Sequence, residues 1–148
     1  MLIYLDNCCF NRPFDNQKDI RIRTETEAKL IIQQKIIAHD FILAWSYILD
    51  YENNANPFEE KKITIAKWRL NATVDIEENE DIVCQAKNLV GRGIKPKDAL
   101  HIACAINGGC QYFITTDYSV LKKMSNFESI TVLNPIDFLH IILKDDVD

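Results

Sequence analysis

Long apolar runs, paired-cysteine spacings and a basic charge balance are all missing from this chain, and each absence removes a class of protein. His39 and Asp40 break the longest apolar neighbourhood, so no segment is long enough to span a membrane. The N-terminus has no basic stretch ahead of an apolar one, which argues against a secretory signal; a cytoplasmic protein is expected. The five cysteines are Cys8, Cys9, Cys84, Cys104 and Cys110; the count is odd, two are adjacent, and no C-x-x-C occurs. That spacing argues against a disulfide framework and against a zinc site, leaving free and mostly buried thiols in a reducing compartment. A net charge of −5 argues against a protein that grips nucleic acid over a wide basic surface. There are no internal repeats, low-complexity segments or linkers.

What is present is ordinary globular composition, 47% hydrophobic and 26% charged over 148 residues, enough for one self-sufficient core. One domain is expected over residues 1–143, with a solvated acidic tail over 144–148. Five segments read as strands: Leu2–Leu5, Phe41–Trp45, Ala72–Ile76, Tyr112–Thr115 and Ile130–Val132. Helical stretches lie between them. Asp19–Ala38 carries Ala28, Ile31, Ile32 and Ile36 at helical spacing, and Ser46 is an N-cap for a helix to Asn53. Phe58–Leu70 follows, then Glu77–Val90, which Gly91 and Gly93 stop. Pro96 opens a helix to about Ile106, a short one follows Thr116, and Pro135 opens the last, through Ile142. Strands alternating with helices predict an α/β domain with a mainly parallel sheet and helices on both faces. Ligands of such sheets sit beyond the carboxyl ends of the strands.

Four acids fall at that edge. Asp6 ends the first strand and Asp117 follows the fourth. Asp98 lies in the first turn of the helix opened by Pro96. Glu52 is roughly 9 Å up the helix that starts at Ser46, at about 1.5 Å per residue. Each has a plainer explanation: Asp6 as a strand-ending turn residue, Asp98 as an acid favoured by the helix dipole, Asp117 as a cap, Glu52 as a solvated surface acid. Converging together, four carboxylates repel one another unless a cation neutralises them. Such a set suits hard divalent ions, Mg²⁺ or Mn²⁺, which also bind substrate phosphates. Asn7, Thr115 and Thr116 are small polar neighbours able to orient carboxylates or metal-bound water. Arg12, Lys95, Lys97 and Lys122 flank the same edge as candidate phosphate contacts, or else as solvated helix faces. One or two bound ions (+2 each) would bring the net charge from −5 to −3 or −1, so the acidic balance is not decisive.

Four fragments in this order carry a resemblance: IYLDNCCFNRPF, ILDYENNANP, KPKDALHIACA and YFITTDYSVLKK. The chain resembles PIN-domain ribonucleases of the VapC-like toxin type, from Met1 to about Leu139. The resemblance implies a three-layer α/β/α sandwich with a five-stranded, mainly parallel sheet. It implies metal-dependent endonucleolytic cleavage of RNA, with Asp6, Glu52, Asp98 and Asp117 as the acidic quartet and one or two Mg²⁺ or Mn²⁺ ions as cofactor. It also implies a homodimer and, for toxins, a small antitoxin protein that occludes the cleft, with the helix from Asp19 and those after it as contact surfaces. Asn7 stands where the family usually has Thr or Ser, and the adjacent Cys8-Cys9 pair is unusual for it. Asp50 competes with Glu52 for the second acid; Asn53-x-x-Asn56-Pro57 resembles the family's helix end and favours Glu52.

Three other readings compete. A cysteine-nucleophile enzyme would use Cys8 or Cys9 with His101, one turn after Asp98, but no activating motif accompanies them. An aspartyl-nucleophile phosphotransferase would want an acid two residues after Asp6, where Cys8 stands. A catalytically weak PIN-like module that binds RNA or protein is the third, and the retention of all four acids weighs against it.

Overall fold

Leu2-Ile3-Tyr4-Leu5 carries no charge because it becomes the middle strand of a sheet covered on both faces. A computed structural model of the chain, describing residues 1–147 with side chains as far as Lys144, places β1 at Leu2–Leu5, with Ile3, Tyr4 and Leu5 fully buried. It pairs in parallel with β2 (Ile42–Ser46) on one side and β4 (Tyr112–Ile114) on the other. The edges are β3 (Ala72–Ile76) and β5 (Thr131–Leu133). The order is β3-β2-β1-β4-β5 and every pairing is parallel.

Eight α-helices among the described residues flank the sheet: α1 (Asn7–Asn11), α2 (Ile20–Ile37), α3 (Tyr47–Asn54), α4 (Glu59–Ala66), α5 (Glu80–Gly91), α6 (Pro96–Asn107), α7 (Tyr118–Lys123) and α8 (Pro135–Val147). This is the three-layer α/β/α arrangement expected from the alternation. Local chemistry sets the boundaries. The side chains of Asp19, Ser46, Asn79 and Asp117 each accept a backbone N–H in the first turn of the helix that follows. Pro96 opens α6, where its missing N–H costs nothing. Gly109, at φ +80°, makes the turn from α6 back into β4 that a side chain would strain.

Several boundaries differ from expectation. Helix α1 was not expected; Asn, Cys and Phe are weak helix formers, and the turn exists because Asp6 caps it. The stretch Phe58–Leu70 splits into α4 and a 3₁₀ turn over Lys67–Asn71. Helix α5 starts at Glu80 rather than Glu77, because Asn79 is its cap. Helix α8 continues past Ile142 to Val147; of the expected tail, Asp148 and the side chains beyond Lys144 lie outside the described residues. Helix α2 buries Ala28, Ile32 and Ile36 but leaves Ile31 exposed, and its buried stripe also takes in Glu25, Lys29 and Gln33.

The topology defines one special place. From β1 the chain builds outward through β2 and β3, then returns to β4 and β5 on the other side. The reversal lies between β1 and β4, and it is beyond the carboxyl ends of strands at such a reversal that ligands of open α/β sheets bind.

Candidate functional site

Asp6 stands at that edge, directly after β1. Its backbone N–H donates to the Ile114 carbonyl of β4 at 2.9 Å, which ties the end of β1 to its neighbour. The carboxylate is 5% exposed, and donors fix it. Oδ1 accepts the Asn7 N–H at 2.8 Å; Oδ2 accepts the Thr115 hydroxyl at 2.8 Å and the Cys8 thiol at 3.5 Å. Asp6 is therefore both the cap of α1 and a buried carboxyl group at the sheet's C-terminal edge.

Glu52 reaches the same place from α3. One oxygen, Oε2, accepts the Asn7 side-chain amide at 3.0 Å, and the other meets His101 Nε2 at 2.5 Å. Burial alone would raise the Glu52 carboxyl, but the hydrogen bond and charge of His101 and the Asn7 amide bring it below the usual carboxylate range. His101 is completely buried on α6, one turn beyond Asp98. Its Nδ1 lies 2.6 Å from the Tyr4 hydroxyl, which lies 2.6 Å from Ser46 Oγ. Burial raises the Tyr4 phenol well above its ordinary value, so it stays protonated and donates to one neighbour. With His101 neutral, the proton order runs from Ser46 to Tyr4 to His101 Nδ1, with Nε2–H donating to Glu52; with His101 charged, Nδ1–H donates to Tyr4, which turns its own proton to Ser46. His101 Nε2 is also 3.9 Å from Asp6 Oδ1.

Asp98 is partly buried in the first turn of α6. Burial, then the charges of Asp6 and Asp117, push its carboxyl up to about 6, against partial relief from His101. Asp98 thus lies within electrostatic reach of Asp6 and Asp117, although burial is the larger cause of the shift. Asp117 caps α7, its Oδ1 accepting from Ser119 N at 2.9 Å and Val120 N at 3.2 Å. Thr115 Oγ1 bridges Asp6 and Asp117 by accepting the Asp117 N–H at 3.1 Å.

Asp50, the competitor of Glu52, points elsewhere. It accepts from Trp45 Nε1 at 2.9 Å and Arg69 at 3.3 Å. Arg12 is not a free cation at the edge: its guanidinium pairs with Asp15 at 3.0 Å and with the buried Glu25 at 3.1 Å. Lys95, Lys97 and Lys122 are exposed, and Lys97 lies near enough to help lower Glu52. Cys9 is packed behind the site, its thiol against the Ile114 carbonyl. Cys8 is not behind it. Its sulfur touches Asp6 and Thr115 and accepts the Thr116 N–H at 3.3 Å. Both ring nitrogens of His101 are engaged by Tyr4 and Glu52, so no cysteine–histidine pair is formed.

No family model matches the chain, and no curated protein matches it by sequence. Solved structures do match. FitAcB from Neisseria gonorrhoeae has a TM-score of 0.55 at 17% identity, covering 90% of this chain and 97% of that one. VapBC2 from Rickettsia felis, bound to a DNA fragment from their promoter, scores 0.55 at 15% identity, covering 90% and 98%. DNA-bound VapBC from Salmonella typhimurium scores 0.54 at 15% identity, covering 91% and 99%. The fold is PIN-like. At these identities the likeness is one of architecture, and it spans nearly the whole of each chain.

Whether the PIN-like edge suits a divalent cation is tested by its own atoms. Among the described residues no group of three or more His, Cys, Asp or Glu side chains is drawn together closely enough to hold an ion. The oxygens of Asp6, Glu52 and Asp117 turn instead to internal donors, as mutually repelling anions do. The chemistry of the donors nonetheless fits: carboxylates alone, with a raised Asp98 that a cation would lower. Asn7 Oδ1, buried between Asp6 and Glu52 in the chain of bonds, has no hydrogen-bond partner of its own. An ion bound beside it would bring a water able to donate to that oxygen.

The sequence offered His101 only as a cysteine's partner and Ser46 only as a helix cap, and it gave Tyr4 no role at this edge. His101 shares the face of Asp98 at helical spacing, the one signal available, but apolar neighbours on both sides read as packing.

Proposed function

We propose that the protein is a metal-dependent endoribonuclease that hydrolyses RNA phosphodiester bonds and serves as the toxin of a toxin–antitoxin pair. The observation that carries this reading is positional: Asp98 lies within electrostatic reach of Asp6, Asp117 and Glu52 at the topological switch of a PIN-like sheet. Asp6, Asp98 and Asp117 would hold one or two Mg²⁺ or Mn²⁺ ions, with Glu52 helping to position an ion or the attacking water. Bound there, such an ion lowers the pKa of water and neutralises charge on the phosphate.

The chain's own residues do the rest. Thr115 and the Asn7 N–H hold the Asp6 carboxylate in one rotamer. His101, locked by Tyr4 and Ser46, fixes Glu52 from behind while Asn7 fixes it from the side. These are positioning roles. Lys95, Lys97 and Lys122 supply exposed positive charge for the flanking phosphates, and Arg12 is withdrawn from that role by its ion pairs. A homodimer and an antitoxin belong to the same proposal; the VapBC and FitAcB complexes that share the fold support the antitoxin.

A second reading has one observation in its favour. With no ready three-ligand metal group among the described residues, the edge could belong to a module that binds RNA or protein without cutting. EDTA separates the two. Cleavage of a mixed RNA panel should stop with EDTA, return with Mn²⁺, and survive a thiol alkylator; RNA bound but never cut with Mn²⁺ present would favour the module.

A further inference from the structure

Beside Asp117 lies a groove of about 660 Å³ whose walls include Arg21, Tyr118, Lys122 and Asn134. That volume is within the roughly 300–1,000 Å³ of small-ligand sites. Tyr118 follows Asp117 directly and is 67% exposed, unusual for a large aromatic side chain. Arg21 crosses from α2 to meet it, its guanidinium carbon 5.8 Å from the Tyr118 ring centroid. Such an arginine could be a loose surface residue, but this one is braced. Its Nε lies 3.4 Å from Glu25, a carboxylate only 1% exposed, and its Nη2 donates to the Thr116 carbonyl at 3.4 Å. Glu25 is itself held by Arg12 and keeps a second oxygen, Oε2, buried without a partner. Two arginines thus share one buried acid, and half of Arg21 remains open to solvent.

We propose that the Arg21–Tyr118 groove seats the nucleotide next to the scissile phosphate, the base stacking on the open part of the Tyr118 ring and Arg21 meeting its phosphate. The inference rests on the nuclease reading of the acidic edge. A braced planar cation beside an exposed aromatic ring is the pairing that single-stranded nucleic acid uses, because every base has a π-face and every nucleotide a charge. The overall acidity does not oppose it, since the contact is local. Asp137 also lines the groove, but Asn134 Nδ2 donates to it at 3.1 Å. Asp117 spends Oδ1 on the start of α7.

The test uses the shortest oligoribonucleotide from a mixed panel that the full-length protein cuts with Mn²⁺. An abasic nucleotide is moved position by position across the cut site, with wild type, Tyr118→Ala and Tyr118→Phe. Stacking losses of this kind are about tenfold per base. The expected result is that one abasic position raises KM about tenfold for wild type and Tyr118→Phe but adds nothing in Tyr118→Ala, whose KM is already raised. If wild type cuts and the abasic penalty is the same in all three proteins at every position, the groove does not seat a base and only this inference falls. That outcome would leave the face to a protein partner. If wild type cuts no RNA in the panel, the inference falls together with the nuclease reading.

Discussion

Replacing Asp98 by asparagine should make the metal-free protein more stable while removing its function. In the folded chain the Asp98 carboxyl is pushed from 3.8 to about 6, first by burial and then by Asp6 and Asp117. At about 1.4 kcal/mol per unit, ionising it costs the native state roughly 3 kcal/mol at neutral pH. Asp98 is only partly buried, so solvent screening reduces this to about 2 kcal/mol. Losing the favourable charge at the start of α6 subtracts about 0.5 kcal/mol. The net gain for Asp98→Asn is then about 1–1.5 kcal/mol, or roughly 3–5 °C in Tm for a chain of this size. The pH dependence has a definite sign. The folded-state value lies above the unfolded one, so the native state binds the extra proton. Asp98 thus contributes stability that is full below about 3.8 and lost as pH rises through about 6. Thermal melts in EDTA should show the advantage of Asp98→Asn growing between pH 4 and 6 and level above it. In wild type, Mn²⁺ at neutral pH should raise Tm; in Asp98→Asn it should do so far less. A variant equal to or less stable than wild type at pH 7.5 would refute the claim that the acids are crowded.

Other outcomes follow from the same contacts. His101→Phe removes the buried partner of both Tyr4 and Glu52 and should cost about 2–4 kcal/mol by urea denaturation; His101→Gln, which keeps a donor, should cost less. Lys29 is buried without an ion-pair partner among the described residues, with Phe10 and Trp68 rings 5.6 and 5.9 Å from its Nζ. Burial lowers it from 10.5 to about 8, so the native state prefers it neutral and stability rises between about pH 8 and 10.5. Lys29→Met should stabilise the protein by about 1 kcal/mol at pH 7 and flatten that rise, read from melts at pH 7 and 9.5. Cys8→Ala should keep cleavage within about tenfold of wild type, because Thr115 and the Asn7 N–H still hold Asp6; complete loss of turnover would revive a thiol nucleophile.

The parts of this architecture that follow period and punctuation were legible before any coordinates. Continuous apolar runs marked the buried parallel strands, Ser46 and Pro96 marked helix starts, and the acids ending β1 and β4 could be placed at one edge by topology alone. What escaped was long-range or polar within the core. The stripe of α2 mixes Glu25, Lys29 and Gln33 with Ala28 and Ile32, which blurs the apolar rhythm and hid the bracing of Arg21. Arg12 read as a free cation because the acid that captures it lies on another helix. His101 read as packing because a buried histidine announces its hydrogen bonds only in three dimensions. Glu52 and Asp50 differ by two positions on α3, and only the directions of their side chains separate the one facing His101 from the one facing Arg69.

The most direct test of the acidic edge is the rate at which wild type and Asp98→Asn cleave a mixed RNA panel as Mn²⁺ is titrated. The quartet account predicts metal-dependent cleavage by wild type and a loss on the order of a hundredfold or more in Asp98→Asn, despite its higher melting temperature. Equal rates for the two proteins would contradict it.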